Sequence, residues 1–545
     1  MRVAVLEDGS ERFTQRLVVL RSSLADRLKY IAGELDRKPH FYYIWFALLY
    51  FPLVCVAAIR KFFWFDEIFT VYVSALPNFG DIWRALAKGT EANPPLNYWL
   101  TRAACELMGT NHLSIRTTAI LGFLVMSLCV FRFVARRCPA PFAAAAMVLP
   151  LLTSAYYYAY EARPYGLVLG FAGSAAVCWQ SAGERKNFVP VAGLGLSIAA
   201  SVSSHYYGVF ILFPLLCGEV VRSVRRREMD LLIWAAFAGG LLPLLFFAPL
   251  ILSANANVFA SPFHAERFWA RPTFPALIEN YQWLVYPAIP ALLLGLLLAM
   301  LARAGDKSGR SDLRPAELIP PEEVAVGIAF LALPIVVVLF TKLLTGYYVN
   351  RYSLPAVVGL AVLFGFAAAR RLRNPATGIL IAILLTGGFV VEQIRGALVS
   401  KEDVRAGVGT YEFLDSGGRG LSVAVANPLV FATLSYYAPP QLASRLIYLS
   451  DPQIAVTYPD FIPELALRSL RMWAPVKVVD YRKYLSTHSR FLVYTTSLPR
   501  LEWLIPELLK AGYSVELKAQ SGQESLFEVR GGSTYESDRG HTNVQ

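Results

Sequence analysis

Long apolar stretches alternate with short charged ones along the first three quarters of the chain. Roughly eleven runs are long enough to cross a bilayer as helices, centred near Phe51, Leu124, Ala146, Gly173, Leu196, Phe213, Leu242, Leu294, Leu333, Val362 and Leu384. Hydrocarbon offers a backbone amide no partner, so a helix of about 20 residues is the structure such a run predicts. The pattern therefore predicts a polytopic α-helical membrane protein, with a spanning region over residues 41–395.

Three segments break this rhythm. Residues 1–40 are charged and moderately amphipathic and read as a cytoplasmic amino-terminal segment. Two long connections, 61–111 and 253–282, are too rich in aromatic and polar residues to be passive turns. The first predicts two short amphipathic helices on the membrane surface, with Trp83 and Trp99 at the interface; the second, containing SPFHAERFWARP, is a candidate lid. After Arg395 the period changes: VAVAN, RLIYLS, FLVYTT, SVELKAQ and SLFEV alternate with helical stretches from Pro428, Pro463 and Leu501. That order predicts a soluble α/β domain over 396–530, followed by a polar, disordered tail at 531–545.

Composition agrees and adds sidedness. Of 545 residues, 56% are hydrophobic and 17% charged, far too apolar for one water-soluble core. The net charge of +12 would suit nucleic acid if it were clustered, but it sits in short loops, which argues against a nucleic-acid partner. Arg27, Lys29, Arg37 and Lys38 precede the first run; Arg136 and Arg137, Arg185 and Lys186, Arg222 to Arg227, Arg303 to Arg314 and Arg370 to Arg373 fall at alternate connections. All share one side if the amino terminus is cytoplasmic, and an odd number of spans then places the carboxyl-terminal domain outside. The six cysteines lie in or beside apolar runs, so no disulfide framework is written here. No internal repeat of the kind common in transporters is visible.

Ionisable residues gather at the outer ends of the runs. Asp66 and Glu67 follow FFWF beyond the first. A carboxylate beside an apolar interface is costly, and partial desolvation suits it to act as a general base. Neighbours on a helix face different directions, so Asp66 is assigned as the base and Glu67 as a supporting catalytic group. In YYYAYEARPYG, Pro164 opens an inward-running helix whose amino terminus, with Arg163, forms an anion site; Glu161 is placed to orient Arg163 or to meet a sugar hydroxyl. SSHYYG and TKLLTGYYVNRYSLP open two further inward-running helices. They bring His205, Lys342 and Arg351 as donor phosphate ligands, with Tyr165, Tyr207, Tyr347, Tyr348 and His264 as substrate-binding residues. Together the groups suit a phosphate-bearing lipid. No metal-binding motif is present, so no cofactor is required; a divalent ion is compatible but not indicated.

FDE, NPPLNYWL, IRTTAILGF, YEARPYGL, SHYYG and NRYSLP, in this order over the first 370 residues, resemble the GT-C superfamily of membrane glycosyltransferases. The resemblance is to the branch of protein O-mannosyltransferases and the lipid A aminoarabinose transferase. It implies an inverting glycosyltransferase in a bacterial inner membrane, moving sugar from a polyprenyl-phosphate donor to a hydroxyl of a lipid, glycan or protein on the periplasmic face. Asp66 then matches the catalytic carboxylate, and Arg163 and Arg351 the donor-phosphate ligands. One feature departs from the pattern: Ile68 to Tyr72 carry no basic residue, which some relatives have there. The rival readings are a transporter or flippase of a lipid-linked sugar, and an inactive membrane scaffold.

Overall fold

In the computed structural model, residues 33–34, 37–184, 187–254, 270–305, 319–416, 418 and 420–531 are described. His264, stretch 255–269 of the candidate lid, several basic residues (Arg27, Lys29, Arg185, Lys186, Lys307, Arg310 and Arg314) and the tail beyond 531 lie outside them.

Every one of the eleven expected centres falls within or between helices. By length and apolarity alone, four helices among the described residues qualify as spans: His40–Arg60, His112–Ala135, Tyr206–Arg226 and Pro375–Gly396. A fifth is formed if Pro321–Leu331 and Leu333–Thr345, bent by 51°, count as one broken span. Shorter apolar helices, Ala140–Leu152, Phe188–Ser204 and Leu231–Phe246, pack among them. The helix His40–Arg60 shows what solvent it expects. Tyr42, Phe46, Tyr50, Val54 and Ala58, four residues apart, are buried against the bundle. Ile44 and Leu48 on its other face are 54% and 72% exposed, a surface that lipid tolerates and water does not.

Two helices that later frame the site are locked together by small residues. Helix His112–Ala135 crosses Tyr165–Glu184 so closely that a Cβ added at Gly170 would stand 2.6 Å from the Gly122 carbonyl oxygen, and one at Gly166 2.6 Å from the Ala119 Cα. Backbones approach this closely only where side chains are absent. Tyr165–Glu184 has 20 residues, so its ends lie about 30 Å apart, the thickness of a bilayer's apolar core. At its far end the expected cytoplasmic charges converge: Arg137 meets Glu184 at 2.5 Å and Glu323 at 2.6 Å, and Arg225 meets Glu322 at 2.5 Å.

The first long connection holds three helices rather than the two expected, Phe65–Ser74, Phe79–Ala87 and Leu96–Met108. The additional one begins at Phe65, whose FDEIFTVYVS sequence buries eight of its ten residues, so its pattern reads as continuous core rather than as an amphipathic stripe. The boundary expected near residue 395 falls inside one helix, Pro375–Ser416, which runs unbroken from the bundle towards the carboxyl-terminal layer. There, six strands β1 (Val423–Val425), β2 (Leu446–Ser450), β3 (Val478–Asp480), β4 (Arg490–Thr495), β5 (Ser514–Ser521) and β6 (Glu524–Arg530) form one sheet of order β3-β2-β1-β4-β6-β5. The first four are parallel and β4-β6-β5 antiparallel, with a bulge between Leu517 and Ala519. The short strand β3 was not foreseen. All six cysteines are free.

Candidate active site

The helix Phe65–Ser74 carries the adjacent carboxylates, and its first turn sends them in different directions. Glu67 occupies the third helical position and its carboxylate reaches back to accept the Trp64 amide at 3.3 Å, capping the start of the helix. Its carboxylate has no exposed surface and is held by Arg116 Nε and Nη2, both at 2.8 Å, and by the Ala162 amide at 2.7 Å. Lys61 Nζ stands 3.5 Å away. Glu67 therefore faces the interior, saturated by protein groups rather than open to the surface. Burial alone would raise its pKa, but Lys61 and the Arg116 fork hold it below the ordinary carboxyl value. The anion site expected at the YEARPYG turn is in part filled from within, since Ala162 donates to Glu67 itself.

Asp66 points the other way and keeps 19% of its side chain exposed. Arg351 Nη2 donates to its Oδ2 at 3.3 Å, and Arg163 Nε lies 3.9 Å from the same oxygen. Arg163 also donates to the Asp66 carbonyl at 3.0 Å and pairs with Glu91 at 2.7 and 3.3 Å. Its charge is largely spoken for, which makes it as much a strut between Glu91 and the acidic loop as a free phosphate ligand. Arg351 is less committed. Its guanidinium lies 5.7 Å over the Tyr165 ring, and its Nε lacks a hydrogen-bond partner among the described residues.

A second buried pair adjoins the first. Glu161 accepts from Trp64 Nε1 at 3.1 Å and lies 3.8 Å from Lys61 Nζ, which itself sits 3.9 Å over the Tyr157 ring. Burial pushes the Glu161 carboxyl up to about 7, Lys61 opposing and Glu67 and Asp66 adding to the rise. Among the described residues, Lys61 Nζ, Glu161 Oε2, Arg163 Nε and Arg351 Nε are all buried without a hydrogen-bond partner. Two of these atoms belong to the arginines that flank Asp66, and the other two face each other at 3.8 Å beside Glu67.

Aromatic rings wall the site. Tyr165 neighbours Tyr158 and His205, with centroids 5.1 and 5.3 Å apart; Tyr207 stacks on Tyr352 at 4.2 Å; and Tyr347 stands 6.1 Å from Tyr352. His205 is brought to the site as expected, but not as a cation. Burial, with Arg163 and Arg351 nearby, pushes its pKa down to about 3, and its Nδ1 accepts the Tyr207 amide at 3.1 Å. Its other nitrogen therefore carries the proton and can donate one hydrogen bond, without charge. Tyr348 is instead buried, with its hydroxyl 3.2 Å from Ser353 Oγ. Lys342 is exposed on the turn Thr341–Thr345, followed by the exposed Leu343 and Leu344, with no bond to the Asp66 group among the described residues. Both were grouped with the site because sequence proximity to Arg351 does not reveal on which side of a turn a residue falls. Glu91, Arg116 and Lys61 were passed over: each lies within or beside a quoted segment, but only their burial shows that they are paired. No three His, Cys, Asp or Glu side chains converge on a metal position among the described residues.

Residues 92–252 match the dolichyl-phosphate-mannose-protein mannosyltransferase family, a stretch that includes Glu91's neighbours, Glu161, Arg163 and His205 but not Asp66 or Arg351. No curated protein matches the whole sequence significantly. Two crystal structures of ArnT from Cupriavidus metallidurans are similar in fold. The apo form has a TM-score of 0.55 and the form bound to undecaprenyl phosphate 0.54; each is 13% identical, covering 89% of this chain and 97% of the other. Residues 92–252 thus match a mannosyltransferase family model inside a chain whose fold is similar to that of ArnT, in keeping with the resemblance its motifs carry.

Proposed function

We propose that the protein is an inverting glycosyltransferase that moves a sugar from a polyprenyl-phosphate donor to a hydroxyl of a lipid, glycan or protein. The observation that carries this reading is Asp66: a partly exposed carboxylate between Arg351 and Arg163, at the opposite end of the helices from the basic clusters. Asp66 takes the proton of the acceptor hydroxyl as that oxygen attacks the anomeric carbon. The bond from that carbon to the phosphate oxygen breaks, and the polyprenyl phosphate leaves with the electron pair. Arg351, the less committed of the two arginines beside Asp66, balances the charge that develops on it, with Arg163 behind it. Phosphate competes with Asp66 for Arg351, so donor binding releases the carboxylate to act as base only when the donor is in place. Glu161, protonated in part near neutral pH, and the Trp64, Tyr158 and Tyr165 rings suit a sugar ring's hydroxyls and faces.

That a protein of this fold binds undecaprenyl phosphate supports the donor class. The exposed apolar helix faces support a multi-pass membrane setting for the lipid tail. Charge placement supports an inner-membrane orientation with the amino terminus cytoplasmic and the α/β layer periplasmic, about eleven spans in all, and no metal is needed for the chemistry as drawn. One observation favours the transport reading: the 51° bend between Pro321–Leu331 and Leu333–Thr345. Residues Val324 to Thr341 carry no charge, however, and a transporter's broken helix binds its ion or substrate at the break. The discriminating experiment supplies radiolabelled polyprenyl-phosphate sugars and a membrane extract to purified wild type and Asp66→Asn. Equal transfer by a normally folded variant refutes the mechanism.

A further inference from the structure

The carboxyl-terminal layer shares its core with the acidic helix. Phe63, Phe65, Ile68, Phe69 and Val71 belong to one continuous buried cluster with Val423, Val425, Phe431, Leu434 and Tyr448. Asp66 is thus carried on a helix that is, on one face, part of the α/β core. Two polar contacts fix the register of that packing. Tyr437, the last residue of helix Pro428–Tyr437, accepts the Phe63 amide on its hydroxyl at 2.7 Å, and the same hydroxyl lies 3.0 Å from His112 Nε2. On the opposite flank, Ser469 Oγ is 2.9 Å from Thr90 Oγ1 and donates to the Lys88 carbonyl at 3.3 Å. Phe63 lies three residues before Asp66, and Thr90 one before Glu91, the partner of Arg163.

We infer that the α/β layer is a positioning element for the site, with Tyr437 and Ser469 as the residues that hold the two acidic segments in register. The segment between the first helix and Asp66 is extended and has no regular partner of its own. Arg116 takes the carbonyls of Lys61 and Phe62 at 2.8 and 3.2 Å and that of Ala58, while Glu67 takes the Trp64 amide, which leaves the Phe63 amide to Tyr437. Removing that acceptor frees one end of the linker while leaving the apolar cluster intact, so Asp66 loses its fixed distance to Arg351 without the fold being lost.

The test is hydrogen–deuterium exchange on the full-length protein in detergent or nanodiscs, comparing wild type with Tyr437→Phe, Ser469→Ala and a control, Tyr436→Phe. Tyr436 packs its ring 5.8 Å from Phe63 and 6.0 Å from Tyr72. The expected result is exchange about fivefold faster over 62–69 in Tyr437→Phe and over 88–92 in Ser469→Ala, the worth of one buried hydrogen bond, with the control unchanged. Unchanged exchange in both variants overturns the inference, as does an equal rise in the control. The kinetic arm rests on the transferase reading: Tyr437→Phe lowers kcat about tenfold with the donor KM within twofold, because the base and not the lipid site is displaced. Exchange that responds while wild type transfers no sugar refutes the transferase reading and upholds the positioning role; a KM rise without a kcat loss overturns the role itself.

Discussion

Glu67→Gln separates the two adjacent carboxylates more sharply than any change at Asp66. The glutamine keeps the volume but replaces one acceptor oxygen by a donor. Arg116 then faces, across 2.8 Å, an NH₂ group where it had a carboxylate oxygen, and its charge is left uncompensated at a site with no exposed surface. The Ala162 and Trp64 amides compete for the one remaining oxygen. Breaking a buried pair by removing one partner's charge costs about 3–5 kcal/mol, and stranding a buried amide about 1–3 more. The expected outcome is a melting temperature lowered by about 5 °C or more in detergent, followed by tryptophan fluorescence, since Trp64 sits beside the pair. A second readout follows from the sign of the pKa. Held below the ordinary value, Glu67 contributes stability that is present at neutral pH and lost as pH falls through its folded pKa. The variant should lose that acid-limb slope. A melting temperature within 1 °C of wild type, with the slope retained, would refute the structural role and return Glu67 to the candidates for chemistry.

Asp66→Asn should leave the melting temperature unchanged, because the side chain makes one long hydrogen bond and one contact at 3.9 Å, yet lower kcat about 10²–10⁴-fold in the radiolabel transfer assay. Glu161→Gln tests the raised carboxyl: the folded state holds the proton between about 4.5 and 7 while the unfolded chain has shed it, so wild-type stability falls as pH rises through that window, by on the order of 3 kcal/mol. Melting curves of the variant should be flatter between those pH values, and an unchanged difference across the window would count against the shift. Arg351→Ala should weaken binding of a polyprenyl phosphate at least tenfold by microscale thermophoresis, whereas Arg163→Ala should lower the melting temperature as well, since it also strands Glu91. Equal thermal behaviour of the two variants would contradict their assignment to different roles.

The eleven apolar centres, the helix-end positions of Asp66 and Arg351 and the alternation after residue 395 could all be read along the chain, since each depends on local period or on a helix terminus. Order of motifs was enough to indicate the fold resemblance. What local pattern cannot carry is direction across a turn. Asp66 and Glu67 are neighbours with the same chemistry, and only the packing of helix Phe65–Ser74 between Arg116 and the α/β core turned one inward to a guanidinium and left the other at the surface. The pairing of Arg163 with Glu91 spans 72 positions, the Tyr437 contact to Phe63 spans 374, and neither leaves a periodic trace. His205 was legible as a site residue, but its neutrality was not, because burial and two nearby arginines are properties of the assembled fold. Sequence by itself determined the apolar runs, where the basic clusters fall between them and the kind of groups present at the opposite ends. Tertiary structure alone decided which of those groups remain free to meet a substrate, because desolvation and hydrogen-bond saturation are set by residues distant along the chain.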